Sequence, residues 1–295
     1  MGPALDRLRD AVNRVSREQV RGAAWSAEEL AKAIIEDQGA GALSCDSVDD
    51  VVRLIVSANP TMGSLSNLAW AVREACDRGL TPADGARAFL DYMTWSRQRM
   101  VSRSVELAKD RPITVVTISF SSAVVDVLSS LQGRVRRVYV MESQPGGEGA
   151  YAASELRSRG VDSQLIPDAM ISTYVDQSDV VLIGADNVTI DGCVYNKVGS
   201  KNLAIVAAYS GKPVVAAFEP YKIVSEGQCG KVRLLERSYQ APPWGEVRYL
   251  VFDEMTRDLI DSILSVNGLG DNTPTQLSAL RRSFEEWVDQ RLAGQ

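Results

Sequence analysis

The residues best equipped for chemistry lie between Asp179 and Ser200, in the run DVVLIGADNVTIDGCVYNKVGS. Four apolar residues, Val180 to Ile183, read as a buried strand that stops at Gly184 and delivers Asp186 and Asn187 just past its carboxyl end. In open α/β sheets ligands bind outside that edge. A carboxylate behind a fully apolar strand is expected to be partly buried with a raised pKa, as a general acid or base requires. Asp191-Gly192 then makes a turn, and Asn196-Lys197-Val198-Gly199-Ser200 leads into a helix over 201–209. Gly199 and Ser200 present unpaired N–H groups before that helix, with Lys197 beside them, and this predicts a phosphate seat.

Other strand ends carry polar residues too. Ile118 is followed by Ser119-Phe120-Ser121-Ser122, a hydroxyl cluster that either caps a helix or supplies a nucleophile. Met141 is followed by Glu142-Ser143-Gln144-Pro145-Gly146-Gly147-Glu148-Gly149, where glycines allow close approach of backbone to a ligand. Lys222, after Phe218-Glu219-Pro220-Tyr221, either meets an anion or pairs with a carboxylate. The sequence contains no histidine. Histidine triads, histidine bases and nearly every common zinc site are thereby excluded, and proton transfer falls to carboxylates, lysines, tyrosines or cysteines. Neither a metal nor a cofactor is expected.

With 295 residues the chain can bury a large core, and two domains are expected. A formal charge of -6 and the absence of any lysine or arginine run argue against direct nucleic-acid binding. Cys45, Cys76, Cys193 and Cys229 show no CxxC spacing, and neither a signal peptide nor a long apolar stretch is evident. The expectation is a cytoplasmic protein with reduced thiols and no membrane contact.

The elements that must position these residues follow from periodicity. Residues 1–110 read as a helical domain: Leu5, Leu8, Val12 and Val15 keep a spacing of three to four, and Leu65, Leu68, Ala69, Val72 and Cys76 repeat it. Ser26 and Glu29 match a capping box that opens a helix to Asp37. Polar loops lie at 21–24 and 59–63. Residues 111–295 read as a Rossmann-like, doubly wound, mostly parallel α/β domain. Its strands are expected near 113–118, 136–141, 163–166, 179–183, 213–218 and 247–252, and its helices near 122–131, 149–159, 169–177, 201–209 and 256–264. A last amphipathic helix, with Leu277, Leu280, Phe284, Trp287 and Val288 on one face, is expected to pack on its own domain.

The run GADNVTIDGCVYNKVGSKNLAIVAAYSGKPVVAAFEPYK resembles the translation initiation factor 2B regulatory subunits, a family that also contains methylthioribose-1-phosphate isomerase and archaeal ribose-1,5-bisphosphate isomerase. The resemblance extends through VYVMESQPGGEGAYAASELRSRGVDSQLIPDAM and SFSSAVVDVLSSL, and more weakly through RGAAWSAEELAKAI and PTMGSLSNLAWAV. It implies a helical N-terminal domain followed by a Rossmann-like one. In the isomerases a cysteine and an aspartate move a proton between C1 and C2 of a sugar 1-phosphate. The resemblance places the aspartate at Asp186, substrate contacts at Asn196 and Lys197, and the start of the phosphate-side loop at Arg21-Gly22-Ala23.

The departures bear on function. Thr117-Ile118-Ser119 stands where the isomerases carry the catalytic cysteine, and a serine hydroxyl is a far weaker acid than a thiol. Gln144 stands where they carry an arginine before proline, which removes a bidentate phosphate contact. Asn59 likewise replaces an arginine before Pro60. Cys193, in the turn after Asp191, does not match the catalytic position. The resemblance therefore implies a regulatory homo-oligomer that holds a phosphorylated sugar or nucleotide, or contacts translation initiation factor 2. The alternative is an aldose–ketose isomerase with Asp186 as base and Ser119 or water in place of the thiol.

Overall fold

The computed structural model describes residues 5–41, 43–225 and 228–294. Five helices come first: α1 (Asp6–Arg17), α2 (Ala23–Gly39), α3 (Val48–Ala58), α4 (Gly63–Asp77) and α5 (Pro82–Arg103). Each buries one apolar stripe, Leu8, Ala11 and Val15 in α1 and Val51 and Ile55 in α3, so the five share one core. Helix α5 starts cleanly because the Asp84 carboxylate accepts bonds from the Thr81 N–H (2.9 Å) and hydroxyl (2.6 Å), with Pro82 at the first turn. Helix α2 starts at Ala23, not at Ser26. The Ser26 hydroxyl donates back to the Gly22 carbonyl (3.2 Å), so the expected capping box is replaced by a first turn that begins at the edge of the site.

The chain then alternates through β1 (Ile113–Thr117), α6 (Ser122–Ser130), β2 (Val135–Met141), α7 (Gly149–Ser158), β3 (Ser163–Ile166), α8 (Ile171–Asp176) and β4 (Val180–Ile183). It continues with β5 (Asn187–Thr189), β6 (Val194–Lys197), α9 (Ser200–Tyr209), β7 (Val214–Ala217), β8 (Ile223–Val224), β9 (Glu236–Ala241) and β10 (Gly245–Leu250). Last come β11 (Phe252–Met255), β12 (Ser262–Ser265), β13 (Gly268–Gly270) and α10 (Pro274–Ala293). Seven strands form one sheet in the order β13-β12-β7-β4-β1-β2-β3, parallel except for β13. Strands β1, β4 and β7 are buried along their whole length, as continuous apolar runs between two helical layers must be. The order reverses between β1 and β4, which opens the crevice where doubly wound sheets take ligands. Outside the main sheet, β11-β6-β5-β8 form a four-stranded sheet and β9-β10 a separate hairpin.

Two sequence expectations fail near the C-terminus. Residues 247–252 belong to the hairpin and to β11, and the expected helix over 256–264 is a short 3-10 turn followed by β12. A short apolar run such as Ile260, Ile263 and Leu264 carries no period that separates a helix from a buried strand. Pairing with β7 decides for strand.

The last helix also departs from expectation. Leu277 and Leu280 of α10 pack beneath the sheet, but Phe284, Val288 and Leu292 complete the core of the N-terminal helices. Trp287 stacks on Trp95 of α5 at 4.8 Å. The buried Arg281 lies over the rings of Trp70 and Phe284 and donates to Asn67 and to the Ile223 carbonyl. The cysteines expected to be free are paired, Cys45 with Cys76 and Cys193 with Cys229.

Helix α7 begins against the end of β2 with no room to spare. A Cβ on Gly149 would fall on the Met141 carbonyl, and the Gly149 N–H donates to the Glu142 carbonyl at 3.2 Å. The Gly149→Ala variant should lose about 2–3 kcal/mol, because the clash is with backbone at a strand end that cannot yield. An unchanged urea midpoint would refute this close approach.

Candidate functional site

Asp186 is the point at which three layers meet. Its backbone N–H donates to the Tyr195 carbonyl of β6 (2.8 Å), and its carbonyl accepts from Gly63 N–H at the start of α4 (3.0 Å). Its carboxylate accepts from Ala23 N–H at the start of α2 (3.1 Å). A negative group at a helix N-terminus is favourably placed. The loop leaving β4 is thus pinned by the sheet and by two N-terminal helices. Burial pushes the Asp186 carboxyl above the usual carboxylate range, against the opposing pull of Lys222, the Ala23 N–H and Lys197.

A cavity of about 600 Å³ opens over this point, between the N-terminal helices and the carboxyl edge of the sheet. Its floor is charged. Lys197, the last residue of β6, places its ammonium 2.8 Å from Glu148 Oε1, and both side chains are buried. Lys222 lies 3.1 Å from Glu219 Oε2. Arg97 of α5 also contacts the fully buried Glu219 and reaches Asp126 at 2.7 Å and the Ser122 hydroxyl at 3.2 Å. Glu148 is pushed up by burial, which outweighs Lys197. For Glu219 burial acts the same way, but Arg97 and Lys222 overcome it and hold the carboxyl at about 2.

The structure gathers Arg21, Gly22, Ala23, Ser119, Asp186, Asn196, Lys197 and Lys222 around this cavity, and leaves Glu142, Gln144, Gly199 and Ser200 outside its lining. Arg21 sits at the mouth with its guanidinium 5.1 Å from the centre of the Trp25 ring. Asn196 donates to the Ser200 hydroxyl (2.9 Å), which donates to the Lys197 carbonyl (2.6 Å), so this pair shapes the turn after β6. The phosphate seat expected at 199–200 is already filled: Asp253 Oδ2 accepts from Gly199 N–H (2.8 Å) and Lys201 N–H (2.9 Å). A carboxylate of the chain takes the place expected for a phosphate.

Ser119 and Ser143 both adopt left-handed backbone, φ 71° and 67°. Such conformations persist only where surrounding bonds enforce them. Ser119 N–H donates to Ser143 Oγ (2.7 Å), and Asp168 at the end of β3 accepts from Ser143 N–H (2.9 Å) and Gln144 N–H (2.7 Å). The loops after β1, β2 and β3 are locked together in this way. Gln144 is exposed and Glu142 only half-buried, and their loop lends the site Glu148 instead.

Sequence reasoning missed Glu148, Glu219 and Arg97 as site residues. Glu148 and Glu219 lie within the strand-end runs already singled out, which was a usable signal. Arg97 sits in mid-helix, 122 residues from Glu219, and no local pattern could have flagged it.

Residues 19–269 match the model of the initiation factor 2 subunit family. The translation initiation factor eIF-2B subunit 2-like protein of Pyrococcus abyssi is 30% identical over 268 residues, covering 90% of this chain and 96% of that one. The ribose 1,5-bisphosphate isomerase of Archaeoglobus fulgidus is 25% identical over 283 residues, covering 90% of each. The crystal structure of the Pyrococcus horikoshii translation initiation factor eIF-2B superposes with a TM-score of 0.84 at 28% identity, covering 92% of this chain and 99% of that one. The helical N-terminal part, the reversal of strand order at β1 and β4 and the carboxylate held at that reversal therefore have their setting: the chain belongs to the initiation factor 2 subunit family.

Proposed function

We propose that this cavity binds a small phosphorylated sugar, or the sugar phosphate of a nucleotide, and that the chain acts as a regulatory subunit in a homo-oligomer and not as a catalyst. One observation carries the reading. Ser119, the position at which the resemblance puts the proton-transferring thiol, lines the same cavity as Asp186, and among the described residues no basic side chain is hydrogen-bonded to its hydroxyl. A serine without an adjacent base is a poor acid or base at neutral pH. Regulatory contact with translation initiation factor 2 is part of the same proposal, supported by the names of the eIF-2B relatives.

The isomerase alternative is favoured by a different observation, the buried carboxyl of Asp186 with its raised pKa. The ribose 1,5-bisphosphate isomerase relatives support it as well. Incubating the pure protein with ribose 1,5-bisphosphate or methylthioribose 1-phosphate and assaying the ketose separates the two. The expected result is no ketose and a raised melting temperature with ligand, the shift being lost in Lys197→Ala. Ketose formation that disappears in Asp186→Asn would overturn the regulatory reading, and equal melting shifts in wild type and Lys197→Ala would remove Lys197 from the binding site.

A further inference from the structure

The floor of the cavity is electrically complete before any ligand arrives. Lys197 is matched by Glu148, Lys222 and Arg97 share Glu219, and the first amide of α2 is taken by Asp186. A phosphate dianion would add negative charge beside carboxylates that burial has already desolvated, where like-charge repulsion is only weakly screened. Protonating a carboxylate relieves that repulsion.

Two carboxylates are suited to this and one is not. Asp186 and Glu148 line the same cavity and each is pushed up by burial, and the charge on Asp186 pushes Glu148 up further. Oε2 of Glu148 is buried and has no hydrogen-bond partner among the described residues. A proton on this oxygen would leave the Lys197 bond to Oε1 in place. Glu219 is held ionised by Arg97 and Lys222. The charged and titratable groups around the pair come from several elements: Lys197 of β6, Lys222 after β7, Arg97 of α5, Arg237 of β9, Tyr249 of β10 beside Lys197, and Glu18, Arg21, Glu28 and Lys32 from the end of α1 to α2.

We propose that Asp186 and Glu148 form a proton-storing pair, and that seating a phosphorylated sugar on this floor draws one proton from solution onto the pair. The inference rests on the sugar-phosphate reading above. Its linkage has a definite sign. The ligand's charge raises the pair's pKa in the complex above its value in the free protein, so over the range in which the phosphate is a dianion affinity falls as pH rises. Above pH 7 the phosphate is already fully ionised, its second pKa being about 6. There the association constant should fall by as much as about tenfold per pH unit.

Calorimetric titration of the whole chain with ribose 1,5-bisphosphate at pH 7.5, in phosphate-free buffers of different ionisation heat, counts the protons taken up. About one per ligand is expected. Glu148→Gln and Asp186→Asn, each verified as folded by its melting curve, should take up fewer and show a flatter dependence of affinity on pH. Binding with no proton uptake, or uptake unchanged in both variants, overturns the pair. Absence of binding heat and of a melting shift in every buffer would instead overturn the sugar-phosphate reading itself.

Discussion

Replacing Arg97 with methionine should destabilise the protein by about 3–5 kcal/mol, because it leaves the fully buried Glu219 with Lys222 as its one remaining cationic partner among the described residues. The pH dependence gives an independent check. In the wild type the Glu219 carboxyl is depressed from 4.5 to about 2, so its pairing adds stability that is present above the unfolded value and lost as pH falls toward the folded one. Without Arg97 the strongest influence lowering this carboxyl is gone and the folded pKa rises. The penalty of Arg97→Met should therefore be largest near pH 7 and shrink as pH falls below about 4.5. Urea unfolding at pH 7 and pH 4 measures both values. A variant as stable as the wild type at pH 7, or a penalty that grows in acid, would show that the pair does not stabilise the site.

Reducing the two disulfides should cost more than any single substitution. Cys45–Cys76 spans 31 residues and joins the turn before α3 to the end of α4, and Cys193–Cys229 spans 36 and ties the β5–β6 turn to the segment before β9. Closing loops of this length in the unfolded chain contributes about 3–4 kcal/mol each, so losing both removes roughly 7 kcal/mol if the effects add. Melting curves with and without a dithiol reductant, alongside Cys45→Ser/Cys76→Ser and Cys193→Ser/Cys229→Ser, separate the two contributions. Coincident curves would refute the stabilising role, and four titratable thiols in the oxidised native protein would refute the pairing.

What could be read from the sequence was whatever a local pattern encodes. Strands β1 and β4 are apolar-rich runs bounded by Pro, Gly or Asp, and their positions follow from that pattern alone. Asp186 was legible because it follows such a run directly. The ion pairs of the floor were not, since Lys197 and Glu148 lie on β6 and at the start of α7 and meet only once the sheet is assembled. The seat at 199–200 misled for the same reason: the carboxylate that fills it, Asp253, arrives on β11, which pairs antiparallel with β6. Disulfide partners, far apart in sequence, leave no local trace either.

The closing helix α10 has one more consequence. Phe284, Val288 and Leu292 lend the N-terminal helices part of their own interior, so a fragment ending near residue 110 would expose an oily groove where those three rings and branches belong. Co-expressed pieces split at that point should reassemble by capturing the distant segment, and a synthetic peptide of residues 274–293 should rescue the solitary front portion.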